Sequence, residues 1–308
     1  MESSKNCIEI RDLTKKYGRF RAVDSLSFEI AQGEFVGFLG VNGAGKSTTV
    51  NMLSTILTPD EGQADICGYR LGRDDMLIRR EIGVVYQSNV LDDLFTVKEN
   101  IITRSKILGI DTQTIKTRLF DLSDILKLSD IMNKRYKVLS GGQKRRCEIA
   151  FALMHSPKIL FLDEPTTGLD PATRVDVWNA VDRLRKNTDM TVFLTTHYME
   201  EAQAADKIII IDKGRKLAEG TPFELKEKYA KDSLRLYFDD ADRTRVLDAI
   251  GKEALISTSY GGYIESDNPF KAAETAGRLK GIINGFEIIQ GKMDDVFLNV
   301  TTLAERTA

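Results

Sequence analysis

Apolar positions recur along the chain in three spacings, and each predicts a different element. Strict alternation in Ile8-Glu9-Ile10 predicts a half-buried strand near the start. Unbroken apolar runs at residues 35–39, 159–162 and 192–194 predict short buried strands, the run over 159–162 covered on both faces as in a parallel sheet. Helical spacing of Ile115, Leu119, Leu122 and Leu126 predicts a helix that packs one stripe on its neighbours. Residues 6–86 therefore read as an antiparallel strand group plus a strand and a helix over 46–57. Residues 88 to about 138 read as a helical insertion.

The pattern changes beyond Gly220-Thr221-Pro222. A helix over 224–230 leads to Leu234, Leu236 and Phe238, which alternate with Arg235 and Tyr237 as a half-buried strand. A helix bearing Val246, Leu247 and Ile250 follows. Strands near 254–257 and 263–265 then flank the hairpin signal Ser259-Tyr260-Gly261-Gly262. Asn268-Pro269 supplies an N-cap and first-turn proline for a helix through Leu279, and Phe286-Glu287-Ile288-Ile289 closes a β-α-β-β-α-β order of ferredoxin-like type. The expected organisation is an α/β domain over 1–231 and a small α+β domain over 232–308, in line with about two domains for this length.

Chemistry concentrates in the first domain. The segment from Gly40 to Ser47, with Asn42, Gly43, Ala44, Gly45, Lys46 and Ser47, satisfies Gly-x-x-x-x-Gly-Lys-Ser/Thr, and Thr48 follows it. In such a loop glycines let backbone N–H groups turn toward phosphate oxygens, and the lysine adds a point charge. A strand before and a helix after place it at a helix N-terminus, where anions are favoured. Ser47 is placed to hold Mg²⁺. A second glycine-rich segment, Leu139-Ser140-Gly141-Gly142-Gln143, puts a hydroxyl and two glycine amides at another helix start. An ordinary N-capped helix would explain Ser140, but not two glycines where glycine weakens a helix. The apolar strand after Lys158 ends at Asp163-Glu164. Asp163 can serve a metal and Glu164 can orient the attacking water.

In this order the motifs resemble the ATP-binding cassette ATPases, over residues of about 6–222. The resemblance implies a P-loop cassette with a mixed sheet core, an antiparallel β subdomain and a helical subdomain. It implies that Tyr17 stacks on adenine, that Gln87 is a switch glutamine touching metal or water, and that His197 contacts the γ-phosphate. Asp170, in Thr167-Gly168-Leu169-Asp170, would cross a dimer interface. ATP and Mg²⁺ are the implied ligands, with Ser140, Gly141, Gly142 and Gln143 closing over ATP held by a second subunit. The subunits would form a homodimer or heterodimer on an integral-membrane permease, whose coupling helix would meet the helical lobe near Leu91, Leu94 and Phe95. Val41 stands where many members have proline, and Phe151 where many have arginine. Met293-Asp294-Asp295-Val296-Phe297-Leu298 resembles the end of the accessory domain on drug- and antibiotic-exporting members. An importer motor and a soluble, non-transport cassette ATPase remain the alternatives.

Composition narrows the setting. A net charge of −2 gives no electrostatic footprint for nucleic acid. Cys7, Cys67 and Cys147 are read as isolated, with neither metal-ligand spacing nor a disulfide framework, which suggests a reducing compartment. The longest apolar runs fall far short of the about 20 residues a membrane helix needs. Met1 to Asn6 is short and polar, so the chain is expected in the cytoplasm, peripheral on the inner face of the membrane. Of the two histidines, His155 precedes Ser156-Pro157 in an expected solvated turn and receives no role.

Overall fold

The computed structural model describes residues 6–186, 188–250, 255–258 and 261–307. The chain divides into two compact units between Glu219 and Gly220. Among the described residues no helix is long and apolar enough to cross a membrane.

The first unit is built on a six-stranded sheet in the order Arg215–Gly220, Lys207–Asp212, Phe35–Leu39, Thr191–Thr196, Ile159–Asp163, Ile82–Val85. Its last five strands pair in parallel. Every residue of Phe35–Leu39, Ile159–Asp163 and Thr191–Thr196 is buried, which accounts for runs without alternation. Phe38, Phe161 and Phe193 pack with tilted rings across neighbouring strands, Phe193 lying 5.2 Å from Phe38 and 5.4 Å from Phe161 between centroids. Carboxyl ends of parallel strands lie together, so the loops after Leu39, Asp163 and Thr196 open at one edge of the sheet.

An antiparallel sheet, in the order Phe20–Ala31, Asn6–Tyr17, Glu61–Ile66, Tyr69–Arg70, shares its core with the first. Ile8, Ile10, Leu13, Leu26, Phe28 and Ile30 pack with Val36, Phe38, Val50 and Phe161. The insertion contains helices Val97–Ile107 and Thr112–Ile125, and the stripe Ile115, Leu119, Leu122, Leu126 is buried. A Thr96–Glu99 capping box starts the first helix and the Asp111 carboxylate caps the second.

Three local expectations need correction. The helix expected over 46–57 ends at Leu53, because Thr55 takes a left-handed conformation (φ 64°) that a helix cannot continue. Cys7 and Cys67 are not isolated: strand pairing brings their Sγ atoms to 3.5 Å. His155 does not lie in a solvated turn. It is half-buried, with Nε2 2.8 Å from the Ile82 carbonyl oxygen and Nδ1 buried without a partner.

Burial pushes the His155 imidazole below its ordinary range, so it stays neutral as the pH falls. The unfolded chain then binds a proton that the folded chain refuses. Stability is lost from the ordinary histidine pKa downward, through the window to the depressed folded value. We expect His155→Gln to lose less melting temperature than the wild type between pH 7 and pH 5.5, followed by calorimetry. Equal losses would show that the folded imidazole accepts its proton freely.

The second unit holds an antiparallel sheet in the order Ile256–Thr258, Gly261–Ser266, Asp232–Tyr237, Gly285–Ile289. Helices Arg243–Ile250 and Pro269–Arg278 complete the β-α-β-β-α-β order, and Asn268 caps the second through Lys271 N–H at 2.9 Å. Leu234, Leu236, Phe238, Val246, Ala272 and Leu279 form its core. Ala254, Ser259 and Tyr260 of the expected strand and hairpin lie outside the described residues. Helix Pro222–Tyr229 also falls in this compact unit. It packs on Met293–Thr307, where Asn299 Nδ2 donates to the Tyr229 carbonyl at 2.7 Å.

Candidate active site

The loop after Phe35–Leu39 turns tightly into helix Lys46–Leu53. Gly45 sits at φ 105°, and a Cβ there would lie 2.4 Å from the Ala22 carbonyl oxygen, so glycine is required. Lys46 is folded back over the loop, with Nζ donating to the carbonyls of Gly40 (2.8 Å) and Val41 (3.2 Å). Beside it opens a cavity of about 430 Å³, lined by Tyr17, Asn42, Gly43, Gly45, Lys46, Ser47, Thr48, Gln87 and Glu164. Ala44 does not line it. Its amide donates to the Val41 carbonyl at 3.1 Å and serves the turn itself.

Asp163 closes strand Ile159–Asp163 opposite the loop. Its Oδ1 accepts from Ser47 Oγ at 3.1 Å and from Thr195 Oγ1, which the neighbouring strand presents in register. Glu164 follows at φ 46°, a left-handed conformation rare for a side-chain-bearing residue, at a cost of about 1–3 kcal/mol. Its N–H donates to the Thr195 carbonyl at 3.0 Å, which helps hold the strain.

The buried Glu164 carboxylate is where the separate motifs meet. Oε1 lies 3.2 Å from Lys46 Nζ. Oε2 accepts from Thr167 Oγ1 at 3.1 Å and from Gln87 Nε2 at 3.4 Å. His197 Nδ1 is 3.2 Å from the same oxygen, close enough for electrostatic attraction but out of line for a hydrogen bond. Burial would raise the carboxyl's pKa, but the Lys46 ammonium, with His197 adding to it, holds it below the ordinary range. Glu164 is therefore a carboxylate at neutral pH and is available to accept hydrogen bonds from water.

Ser47 and Asp163 offer a hydroxyl and a carboxylate to one point. That oxygen set fits Mg²⁺, which takes few protein ligands and keeps water or phosphate for the rest. Among the described residues no three His, Cys, Asp or Glu side chains cluster as a metal cage.

Other expected residues lie apart from this cavity within the same chain. Ser140 caps helix Gly141–Ala152, accepting from Gln143 N–H at 3.3 Å, while Gln143 Oε1 accepts from Ser140 N–H at 3.0 Å. Gly142 has a packing reason of its own: a Cβ would lie 1.9 Å from Thr173 Cγ2. Ser140 and Gly141 are exposed. Asp170 is exposed and caps helix Pro171–Lys186 through Thr173 N–H at 3.0 Å. At Phe151 the Arg104 guanidinium stands 5.9 Å over the ring, so this position contributes a ring contact where arginine would bring a charge.

Sequence reasoning missed four contributors. Phe20 lines the cavity beside Tyr17, its partner across the strand pair. Thr167 and Thr195 hold Glu164 and Asp163. Arg145 carried no assigned role, yet it is buried and reaches the Tyr86 and Gln87 carbonyls.

The ABC transporter family profile matches residues 23–167. The daunorubicin/doxorubicin resistance ATP-binding protein DrrA of Streptomyces peucetius is 37% identical over 309 residues, spanning 96% of this chain and 92% of the relative. The Nod factor export ATP-binding protein I of Burkholderia orbicola is 37% identical over 300 residues, with 96% of each chain covered. Among solved structures, cbiO1 from Clostridium perfringens, part of an ABC transporter complex, aligns with a TM-score of 0.66 at 27% identity over 71% of this chain and 90% of the other. An ATP-binding cassette in a dimeric, post-hydrolysis state bound to ADP and Pi aligns with a TM-score of 0.63 at 30% identity over 70% of this chain and 98% of the other. With its phosphate loop, paired carboxylates and second glycine-rich segment in one fold, this chain belongs to the ABC transporter family as an ATP-binding subunit, and it is an ATPase.

Proposed function

We propose that the chain is the motor of an exporter for drugs, antibiotics or other amphiphiles, working as a nucleotide-sandwich dimer on a separate membrane permease at the inner face of the cell membrane. The convergence of Lys46, Gln87 and His197 on Glu164 carries the hydrolytic half of this reading. The drug-resistance and Nod factor export relatives, which span the second unit as well as the first, support the exporter half.

In this mechanism Tyr17 stacks on adenine, and the amides of Asn42, Gly43, Gly45 and Thr48 face the phosphates. Lys46 exchanges Glu164 for the triphosphate. The freed carboxylate orients water for attack on the γ-phosphorus, His197 hydrogen-bonds the γ-phosphate, and positioning supplies most of the rate. Ser47, Asp163 and Gln87 would hold Mg²⁺, which when bound neutralises charge on the phosphates. Ser140, Gly141, Gly142 and Gln143 of a second chain close over the same ATP, and Asp170 lies at that seam. Residues 232–308 form the accessory domain.

The permease is proposed to dock where Leu94 and Phe95 stand 68% and 44% exposed, next to the buried Leu91. Leu94→Asp with Phe95→Asp should leave basal ATPase unchanged within about twofold, since surface substitutions cost little. It should abolish transport by the chain reconstituted with its permease. Normal transport by that variant would refute the docking surface, and an absence of ATP-dependent efflux with the wild type would refute the exporter reading.

A further inference from the structure

Helix Gly141–Ala152 carries two buried charges outside the catalytic cluster. Arg145 is 5% exposed and Glu148 3%. The Arg145 guanidinium donates to the Tyr86 carbonyl at 2.6 Å and the Gln87 carbonyl at 3.1 Å. One turn further on, Oε1 of Glu148 accepts from the amides of Val90 (3.0 Å) and Leu91 (3.2 Å) and from Tyr136 Oη at 2.7 Å. The segment 86–91 is thus gripped near both ends by one helix. Gln87 lies inside the grip with Nε2 3.4 Å from Glu164.

Burying a charge costs several kcal/mol unless hydrogen bonds compensate it. Here, apart from the Tyr136 hydroxyl on Glu148, the compensation goes to the backbone of this one loop. A glutamine on an untethered loop would sample many positions, and a misplacement of about 1 Å can cost about 10²-fold in rate. We propose that Arg145 and Glu148 are positioning residues for ATP hydrolysis: they hold residues 86–91 so that Gln87 faces Glu164, and they tie Gln87 to any movement of helix Gly141–Ala152. This rests on the reading of Gln87 as a member of the catalytic cluster.

A double-mutant cycle on the full-length chain tests it, with kcat and the equilibrium Kd for a fluorescent ATP analogue as readouts. Gln87→Ala should lower kcat about tenfold, and Arg145→Met by a similar factor, with Kd changed by less than about twofold. The double variant should be no slower than the slower single one, because Arg145 acts through Gln87. Multiplying losses would overturn the proposal. Wild-type kcat in Gln87→Ala would instead remove the catalytic reading of Gln87, and the proposal with it. Should Arg145→Met fail to fold, Glu148→Gln replaces it, since its carboxamide oxygen can still accept from the Val90 and Leu91 amides. Its smaller loss of kcat must vanish in the Gln87→Ala background, and persistence of that loss would overturn the proposal equally.

Discussion

Glu164→Gln should bind ATP and fail to turn it over, with kcat reduced on the order of 10²–10⁴-fold, the range a positioned base contributes. The substitution preserves shape and leaves the strained backbone at φ 46° unaltered. A carboxamide oxygen can still accept from Thr167 and Gln87, but it cannot take a proton from water. It also loses the ion pair with Lys46 at 3.2 Å, which releases the ammonium for phosphate. ATP affinity should therefore hold or improve, and ATP should raise the melting temperature of the variant at least as much as that of the wild type.

The same substitution removes a pH dependence. In the wild type the Glu164 carboxyl is held below its ordinary range. Its stabilisation is complete above the ordinary glutamate pKa and is lost as the pH falls through the depressed folded value. The variant lacks that acid loss. Turnover by Glu164→Gln near the wild-type rate, measured in a single-turnover phosphate-release assay, would assign the water to another residue.

Lys46→Ala should be equally inactive for a different reason. A hydrogen bond to a charged group contributes about 1.5–3 kcal/mol, so ATP affinity should weaken by about 10- to 10²-fold, read by titration with a fluorescent analogue. In the wild type Lys46 is 4% exposed and serves as the cation for a buried carboxylate. Without it the effect of burial prevails, and the Glu164 carboxyl moves upward. The folded variant then binds a proton more readily than the unfolded chain. Its deficit in melting temperature against wild type should widen as the pH rises above the ordinary carboxylate pKa and narrow on acidification. A deficit independent of pH would mean that Lys46 and Glu164 are not coupled in the folded chain.

Local patterns made much of this molecule legible. Apolar runs such as Phe35–Leu39 betray buried parallel strands because both faces are covered, and the glycines of the phosphate loop declare a backbone that side chains cannot follow. The strand-end carboxylates were readable for the same reason, since one short segment contains both the strand and its chemistry. Contacts made by strand neighbours remote in sequence were not. Thr195 supports Asp163 only because their strands lie side by side in register, and Cys7 meets Cys67 only because the antiparallel strands align. Nothing in the spacing of Arg145 and Glu148 says that a loop from another strand end lies across them. Gly142 was read for an anion site, yet Thr173 of the neighbouring helix already excludes a side chain there.

The central claim is that each ATP is cleaved between two chains, the phosphate loop and Glu164 of one facing the Ser140–Gly141 segment of the other. Mixing two inactive variants tests it most directly. Lys46→Ala spoils the phosphate loop, and Gly141→Asp sets a carboxylate at an exposed helix start, where it suits the helix but repels phosphate. Each alone should be inactive, while a 1:1 mixture should recover on the order of a quarter of wild-type ATPase, because half of randomly assorted dimers hold one intact composite site. A mixture no more active than its separate components would contradict the account.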